Sequence, residues 1–294
     1  MRRSMLFLPG NNPNMLINAG SLGADAVIFD LEDAVSPLEK DAARVLVRNT
    51  MKYMDLSGKE VIVRINSVDT DFWKEDIDTI LPEKPSLILL PKASCPEDVV
   101  LVDEYITKVE KDLGLESGSV GLMPLIETAL GVENSFLIAS STKRVKALFL
   151  GAEDLTADLQ CKRTKMGREI EYARTRIVVA SRAAGVDAYD TPFTDVNDDE
   201  GIVEDSRLAK ALGFSGKASI SPRHVDVINE VFSPTFAEIE YAYEVMDAIA
   251  LAKKQGKGAI ALRGKMIDAP IVARAERTIA AAKELGIDRG EGNE

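Results

Sequence analysis

The sequence predicts a closed (β/α)8 (TIM) barrel with a C-terminal helical appendage. Three observations predict it. Eight short apolar runs recur between residues 5 and 220. Runs so short and so apolar suit parallel strands buried on both faces. A helix-length stretch follows each run, and strict β-α alternation over eight units suits a closed barrel with its site at the C-terminal strand ends. Asp30, Arg64, Lys92, Glu127, Asp154 and Asp190 each fall just past a run. A barrel brings those positions to one mouth, whereas an open doubly wound sheet spreads them along an edge.

The first strand is expected over residues 5–8, ended by Pro9-Gly10, and Asn11-Asn12-Pro13 opens a helix with proline near its first turn. The run at 26–29 closes on Asp30-Leu31-Glu32-Asp33, and Ser36-Pro37 starts a helix reaching residue 54. The third strand, 61–63, ends at Arg64 and leads to a helix from residue 72. The fourth, 86–90, is followed by Pro91-Lys92 and a helix over 97–113. The fifth, 120–126, stops at Glu127; a helix over 129–140 separates it from the sixth, 145–150, which stops at Gly151-Ala152-Glu153-Asp154. A longer polar and partly basic stretch, 156–167, precedes a helix over 168–183. The seventh strand, 186–189, ends in Asp190-Thr191-Pro192, and after a helix over 199–212 the eighth, 216–220, ends in Ser221-Pro222.

Beyond the barrel, 236–254 reads as a helix stopped by Gln255-Gly256-Lys257-Gly258. A short run at 259–262 leads through Arg263 to Pro270 into a last helix over 271–285, and 286–294 reads as a loose polar tail. The expected division is a catalytic barrel over 1–232 and a helical extension over 233–294.

Bulk properties exclude several classes. The net charge is −12, from 36 basic and 48 acidic residues, which argues against a nucleic-acid surface or an anionic membrane as partner. The N-terminal apolar run is too short for a signal peptide, and no run approaches transmembrane length. Cys95 and Cys161 are isolated, which speaks against a zinc site or a disulfide framework, so a cytoplasmic protein is expected. The single histidine, His224, reads as an ordinary polar residue starting a helix after Pro222. With no second histidine and no cysteine cluster, a zinc hydrolase is excluded. Neither GxGxxG nor GxxxxGK[ST] occurs, so no Rossmann or P-loop phosphate cradle is indicated.

Glu127 and Asp154 carry the candidate chemistry. A carboxylate at the end of a buried strand has no packing reason to be there, and two on consecutive strands suit one shared hard cation, Mg2+. Magnesium usually completes its octahedron with water and substrate oxygens, which leaves room for a chelating 2-keto acid. Arg64 at the same rim suits a substrate carboxylate in a bidentate fork, and Gly151, Ala152 and Glu153 are assigned to substrate binding. These parts suit making or breaking a carbon–carbon bond beside a keto acid. Each has a structural alternative. The two carboxylates either bind metal, cap a helix or pair with Arg64, and Arg64 is either a substrate clamp or an ion-pair partner. Glu32 and Asp33 either join the metal through water, position its ligands, or cap the helix near Pro37. Lys40, Arg44 and Arg48 lie four apart on one helical stripe. With Arg2 and Arg3 they either meet the phosphates of a nucleotide-like carrier or form a solvated face neutralised by Glu39 and Asp41.

Seven segments in order then resemble a known group. They are Arg3-Ser4-Met5-Leu6-Phe7-Leu8-Pro9-Gly10, Phe29-Asp30-Leu31-Glu32-Asp33-Ala34-Val35, Val63-Arg64-Ile65-Asn66, Leu90-Pro91-Lys92, Ile126-Glu127-Thr128, Leu150-Gly151-Ala152-Glu153-Asp154-Leu155 and Gly264-Lys265-Met266-Ile267-Asp268-Ala269-Pro270. Together they resemble the citrate lyase beta subunit, among the malyl-CoA, citramalyl-CoA and citryl-CoA lyases of the HpcH/HpaI-type aldolases. Any one segment is a weak signal; seven in order are specific for the family and not for one substrate. The resemblance implies a (β/α)8 barrel, Mg2+ on Glu127 and Asp154, and the keto acid on Arg64. It also implies that Asp268 reaches a neighbouring subunit's site from a lid-forming extension, in a homotrimer or hexamer. The implied reaction is retro-Claisen cleavage of a 3-hydroxy-acyl thioester, of CoA or of an acyl carrier protein, to an acetyl thioester and oxaloacetate, pyruvate or glyoxylate. Other citrate lyase subunits are implied partners.

Two departures stand out. Ser221 occupies a place where many relatives carry His or Asn, close to where the carrier is expected. The stretch Asp158-Leu159-Gln160-Cys161-Lys162-Arg163-Thr164-Lys165 leans toward stand-alone CoA-dependent relatives. The rival readings are a non-catalytic subunit and a metal-dependent aldolase on free hydroxy-keto acids. Retention of Glu127, Asp154, Arg64 and Asp268 together speaks against the first. The segment 264–270 and the basic stripe speak against the second.

Overall fold

The computed structural model describes residues 1–255 and 260–287. The expected helix stop at Gly256-Lys257-Gly258 and the tail from residue 288 onward lie outside the described residues. The chain forms two compact units, one of Arg2–Glu230 and one that begins at Val231 and includes Met1.

The first unit is the barrel. Its strands are β1 (Ser4–Pro9), β2 (Ala26–Asp30), β3 (Glu60–Arg64), β4 (Leu87–Leu90), β5 (Gly121–Ile126), β6 (Ala147–Leu150), β7 (Asp187–Asp190) and β8 (Gly216–Ser219). They pair in sequence order, all parallel, and β8 closes on β1. Between them run α1 (Pro13–Ile17), α2 (Lys40–Tyr53), α3 (Trp73–Ile80), α4 (Pro96–Leu113), α5 (Ala129–Glu133) and α6 (Ser135–Ala139). The circuit continues with α7 (Ala152–Asp158), α8 (Glu171–Ala184), α9 (Asp199–Leu212) and α10 (Val225–Phe232). Helices α8 and α9 end where Gly185 and Gly213 take left-handed backbone, at φ 75° and 104°.

Strand alternation sorts side chains between two layers. Met5, Ala26, Ile28, Ile62, Leu87, Leu89, Met123, Leu125, Ala147, Phe149, Tyr189 and Ala218 form one buried cluster, with Phe7 packed against it. Drawn from alternate positions of all eight strands, these residues fill the lumen. Their neighbours, such as Val27, Phe29, Val63, Ile88, Leu122 and Leu148, are equally buried against the helices. Each fully buried Leu, Ile or Val contributes about 1.5–3 kcal/mol, so both layers hold the strand ends in register. That register pairs Pro9 with Asp30 and Asp30 with Arg64.

Two features differ from the sequence reading. The helix expected over 129–140 is two short helices meeting at Asn134, whose side-chain amide donates to the Ser94 carbonyl at 2.9 Å. Asp154 does not lie on a loop. Helix α7 starts directly after Gly151 and carries Glu153 and Asp154 in its first turn, where the helix dipole favours negative charge.

The second unit holds α11 (Phe236–Gln255), a hairpin of β9 (Ile260–Leu262) and β10 (Lys265–Ile267), and α12 (Ala269–Glu284). The hairpin was not foreseen. Its two-residue turn places Arg263 and Gly264 at φ 48° and 77°, the pair of positive angles that matches strand twist. Ala242, Val245, Ile267 and Ala275 form its core. No helix among the described residues is long and apolar enough to cross a membrane.

Candidate active site

A cavity of about 330 Å³ opens at the C-terminal ends of the strands. Asp30, Asp33, Arg64, Glu127, Gly151, Ala152, Glu153 and Asp154 line it, with Phe7, Pro9 and Phe149 on its apolar side. Parity explains the gathering. Ile28, Ile62 and Leu125 face the lumen, so Asp30, Arg64 and Glu127, two residues on, face the mouth.

Glu127 is buried, and its Oε1 accepts the Lys92 backbone N–H at 2.7 Å. Burial first, and then the charges of Glu32 and Asp154, push its pKa up to about 8. Gly151 lies hard against it: a Cβ there would stand 2.6 Å from Glu127 Oε2. A buried carboxylate pressed between two other carboxylates favours a proton or a cation. Among the described residues no group of three or more His, Cys, Asp or Glu side chains forms a complete metal cage. Glu127 and Asp154 as a two-carboxylate oxygen set fit magnesium, which keeps its remaining positions for water and substrate.

Arg64 turns Nε and Nη2 onto Asp30, at 2.7 and 2.6 Å, and Nη1 onto Glu32 at 3.0 Å and Asp33 at 3.8 Å. Its guanidinium also lies 5.1 Å from the Phe7 ring centroid. Burial works to lower its pKa, but the bonds to Asp30 outweigh it and hold the charge firmly. One face of the fork foreseen for a substrate carboxylate is therefore filled by Asp30. Asp30 in turn accepts the backbone N–H groups of Glu32 and Ala34, which shapes the loop carrying Glu32 and Asp33. Glu32 is buried, and its two oxygens face Arg64 Nη1 and Lys92 Nζ, each at 3.0 Å. Burial raises its pKa against the pull of Arg64.

Several expected members stand elsewhere. Arg3 is at the foot of the barrel, where its N–H and guanidinium bind Asp25; it precedes β1, so it belongs to the end opposite the mouth. Arg2 pairs there with Glu60 and Tyr189. The basic stripe does not form a carrier surface. Lys40 is buried, and its ammonium donates to the carbonyls of Leu31 and Glu32 at 2.7 and 2.6 Å. Arg44 is buried on Asp76 at 2.7 Å, and Arg48 rests on Asn49. Asp268, expected to act on a neighbouring subunit and not on its own chain's mouth, belongs to the second unit, where its side chain caps α12 by accepting the Ile271 N–H at 3.2 Å. Ser221 caps a short turn by accepting the Arg223 N–H at 3.3 Å.

Asp190 does not join the mouth. Tyr189 faces the lumen, so Asp190 faces the helices. There it meets Arg174 at 2.9 Å and Lys217 at 2.6 Å, and both cations also bind Asp205. The sequence reading missed Lys217, although its place beside lumen-facing Ala218 carries the same parity signal. Its ammonium is enclosed by Asp190, Asp205 and the Thr191 carbonyl, which leaves it a buried ion-pair partner. Thr191 Oγ1 accepts the Ala152 N–H at 3.2 Å, which ties this cluster to the start of α7. His224 stands in the short turn from Pro222 that leads into α10, as expected, and is buried beside Phe193; burial lowers its pKa.

The family described as HpcH/HpaI aldolase/citrate lyase matches residues 3–222. The citrate lyase subunit beta of Leuconostoc mesenteroides subsp. cremoris is 43% identical over 293 residues, covering 100% of this chain and 97% of that protein. The mitochondrial citramalyl-CoA lyase of Homo sapiens is 33% identical, covering 97% of this chain and 86% of that one. Among solved structures, the protein CitE from Mycobacterium tuberculosis in complex with magnesium, acetoacetate and coenzyme A superposes with a TM-score of 0.78 at 30% identity, covering 96% of this chain and 98% of that chain.

Proposed function

The chain belongs to the HpcH/HpaI aldolase/citrate lyase family, and from that premise we propose that it is a magnesium-dependent carbon–carbon lyase acting on a citryl-type 3-hydroxy-acyl thioester. The observation that carries the reading is the convergence of Glu127, Asp154 and Arg64 on one cavity. Relatives support it: a 43% identical protein is a citrate lyase subunit beta, and a similar structure binds magnesium and coenzyme A.

Glu127 and Asp154 would hold the cation. Magnesium, when bound, supplies a Lewis acid for the negative charge that develops on the substrate's hydroxyl oxygen. Arg64 orients the carboxylate of the keto-acid half, in competition with Glu32 and Asp33. Gly151, Ala152 and Glu153 line the same wall. A general base at the mouth, a carboxylate or a water, takes the hydroxyl proton. The oxygen forms the keto carbonyl, the carbon–carbon bond breaks with its electron pair passing to the thioester fragment, and the products are oxaloacetate and an acetyl thioester enolate. Asp268 of the partner subunit gives that enolate its proton at carbon, which makes a homotrimer or hexamer the working form. The extension over 233–294 then serves as a lid toward the neighbour, and other citrate lyase subunits are natural partners. Cleavage of citramalyl-CoA to pyruvate is the second reading, favoured by the likeness to the human enzyme.

The test is a cleavage assay of the purified protein with citryl-CoA, citramalyl-CoA and malyl-CoA side by side, repeated with acyl-carrier-protein thioesters. Fastest release of oxaloacetate, lost on chelation and restored by Mg2+, is the expected result. No turnover of any substrate by folded, metal-loaded protein overturns the reading.

A further inference from the structure

We propose that Lys92 is a positioning residue that aims Glu127 through its own backbone. The inference rests on the reading of Glu127 as a cation ligand. Lys92 has φ 54°, a left-handed conformation that costs a residue with a side chain about 1–2 kcal/mol. Pro91 before it suits a turn whose next position is usually glycine. Other residues with side chains at positive φ have local reasons: Lys84 and Gln160 close turns with their N–H groups on Leu81 and Ala157, and Arg263 sits in the hairpin turn. Lys92 instead sends its N–H across to the next strand, to Glu127 Oε1 at 2.7 Å.

The side chain explains why the position is not glycine. Lys92 Nζ stands 3.0 Å from Glu32 Oε1 and 3.9 Å from Asp33 Oδ1. The ion pair offsets the backbone strain and fixes the residue in the conformation that points its N–H inward. One residue thus serves two buried carboxylates, Glu127 from the main chain and Glu32 from the side chain. With Oε1 held by Lys92, Glu127 keeps Oε2 against Gly151, at the start of the helix that carries Asp154.

Lys92→Gly and Lys92→Val test this. Both lack the ammonium, so their difference isolates the backbone: glycine adopts positive φ freely, whereas a β-branched residue resists it. Calorimetric titration with Mn2+ is expected to find the valine variant about tenfold weaker than the glycine variant, the scale of one lost hydrogen bond to a charged group. Equal affinities overturn the proposal. Crystal structures of the two metal-free variants decide it independently. The bond from residue 92 to Glu127 is expected in the glycine variant and a displaced Glu127 carboxylate in the valine variant; one carboxylate position in both overturns the proposal. If the unaltered protein binds no Mn2+, the metal reading falls while these structures still decide the role of Lys92. Lys92→Ala replaces the valine variant if that fails to fold.

Discussion

Arg64 grips Asp30 through two parallel hydrogen bonds, Nε to Oδ1 at 2.7 Å and Nη2 to Oδ2 at 2.6 Å, between register partners on adjacent strands. The pair is a bidentate, charge-assisted contact between buried Asp30 and partly buried Arg64, and through Asp30 it sets the loop that carries Glu32 and Asp33. Arg64 is therefore part of the architecture before it meets any substrate. Its remaining nitrogen, Nη1, stands between Glu32 and Asp33, so any carboxylate approaching it must compete with both.

Removal of Arg64 should act on the fold as well as on binding. Arg64→Ala leaves Asp30 buried without its partner, a loss of about 3–5 kcal/mol for a broken buried pair. Arg64→Lys retains the charge but cannot span two carboxylate oxygens, so it should be intermediate. Urea unfolding measures the first effect and calorimetry with oxaloacetate the second. An Arg64→Ala protein as stable as the parent would show that the pair is incidental.

The barrel was legible because buried strands are short, apolar and evenly spaced. The mouth was legible where strand parity placed a polar residue in line with the lumen, as for Asp30, Arg64 and Glu127. Asp190 was misplaced because position past a run was read without parity; one step out of phase, it faces Arg174 and Lys217 instead. Lys40 and Arg44 were misread for another reason. Helical spacing says which residues share a face, but not whether a carbonyl pair or a buried Asp76 waits behind it. The short helix carrying Asp154 and the hairpin before Asp268 left little periodic signal, since one has 7 residues and the strands of the other have 3 each.

Cation affinity should rise with pH. Burial and the neighbouring Glu32 and Asp154 lift Glu127 from its ordinary 4.5 to about 8. Between those values the folded state binds a proton that the unfolded chain does not. This group's contribution to metal-free stability is therefore greatest at low pH and is lost as pH rises through about 8. A cation must displace the same proton, so Mg2+ binding should strengthen by up to about tenfold per pH unit below 8 and level off above. Calorimetry across that range checks it; a flat profile would contradict it. Glu127→Gln should abolish the binding and raise the melting temperature of metal-free protein at alkaline pH.

Gly151→Ala should damage the site by contact alone. Its Cβ would stand 2.6 Å from Glu127 Oε2 and 2.8 Å from Glu127 Cβ, and Gly151 has an ordinary φ of −102°, so backbone strain plays no part. Overpacking of this kind costs about 1–3 kcal/mol. The expected outcome is a shifted Glu127 and at least about tenfold weaker Mg2+ binding, as one well-placed charged contact is lost. Unchanged affinity in the alanine variant would show that Glu127 has room to move.

Asp268 offers the sharpest test of an active site shared between subunits. Its side chain caps α12, so Asp268→Ala should lower stability by about 1 kcal/mol whatever its catalytic role. Asp268→Asn keeps the cap and removes only the acid, and should abolish turnover while leaving oxaloacetate binding and melting temperature intact. Co-expression of Asp268→Asn with Glu127→Gln then separates the two topologies. If Asp268 acts on a neighbour in a closed ring, about a quarter of the sites in a random mixture combine an intact Glu127 with an intact Asp268 and regain activity. If it acts within its own chain, every site lacks one of the two residues and the mixture stays inactive.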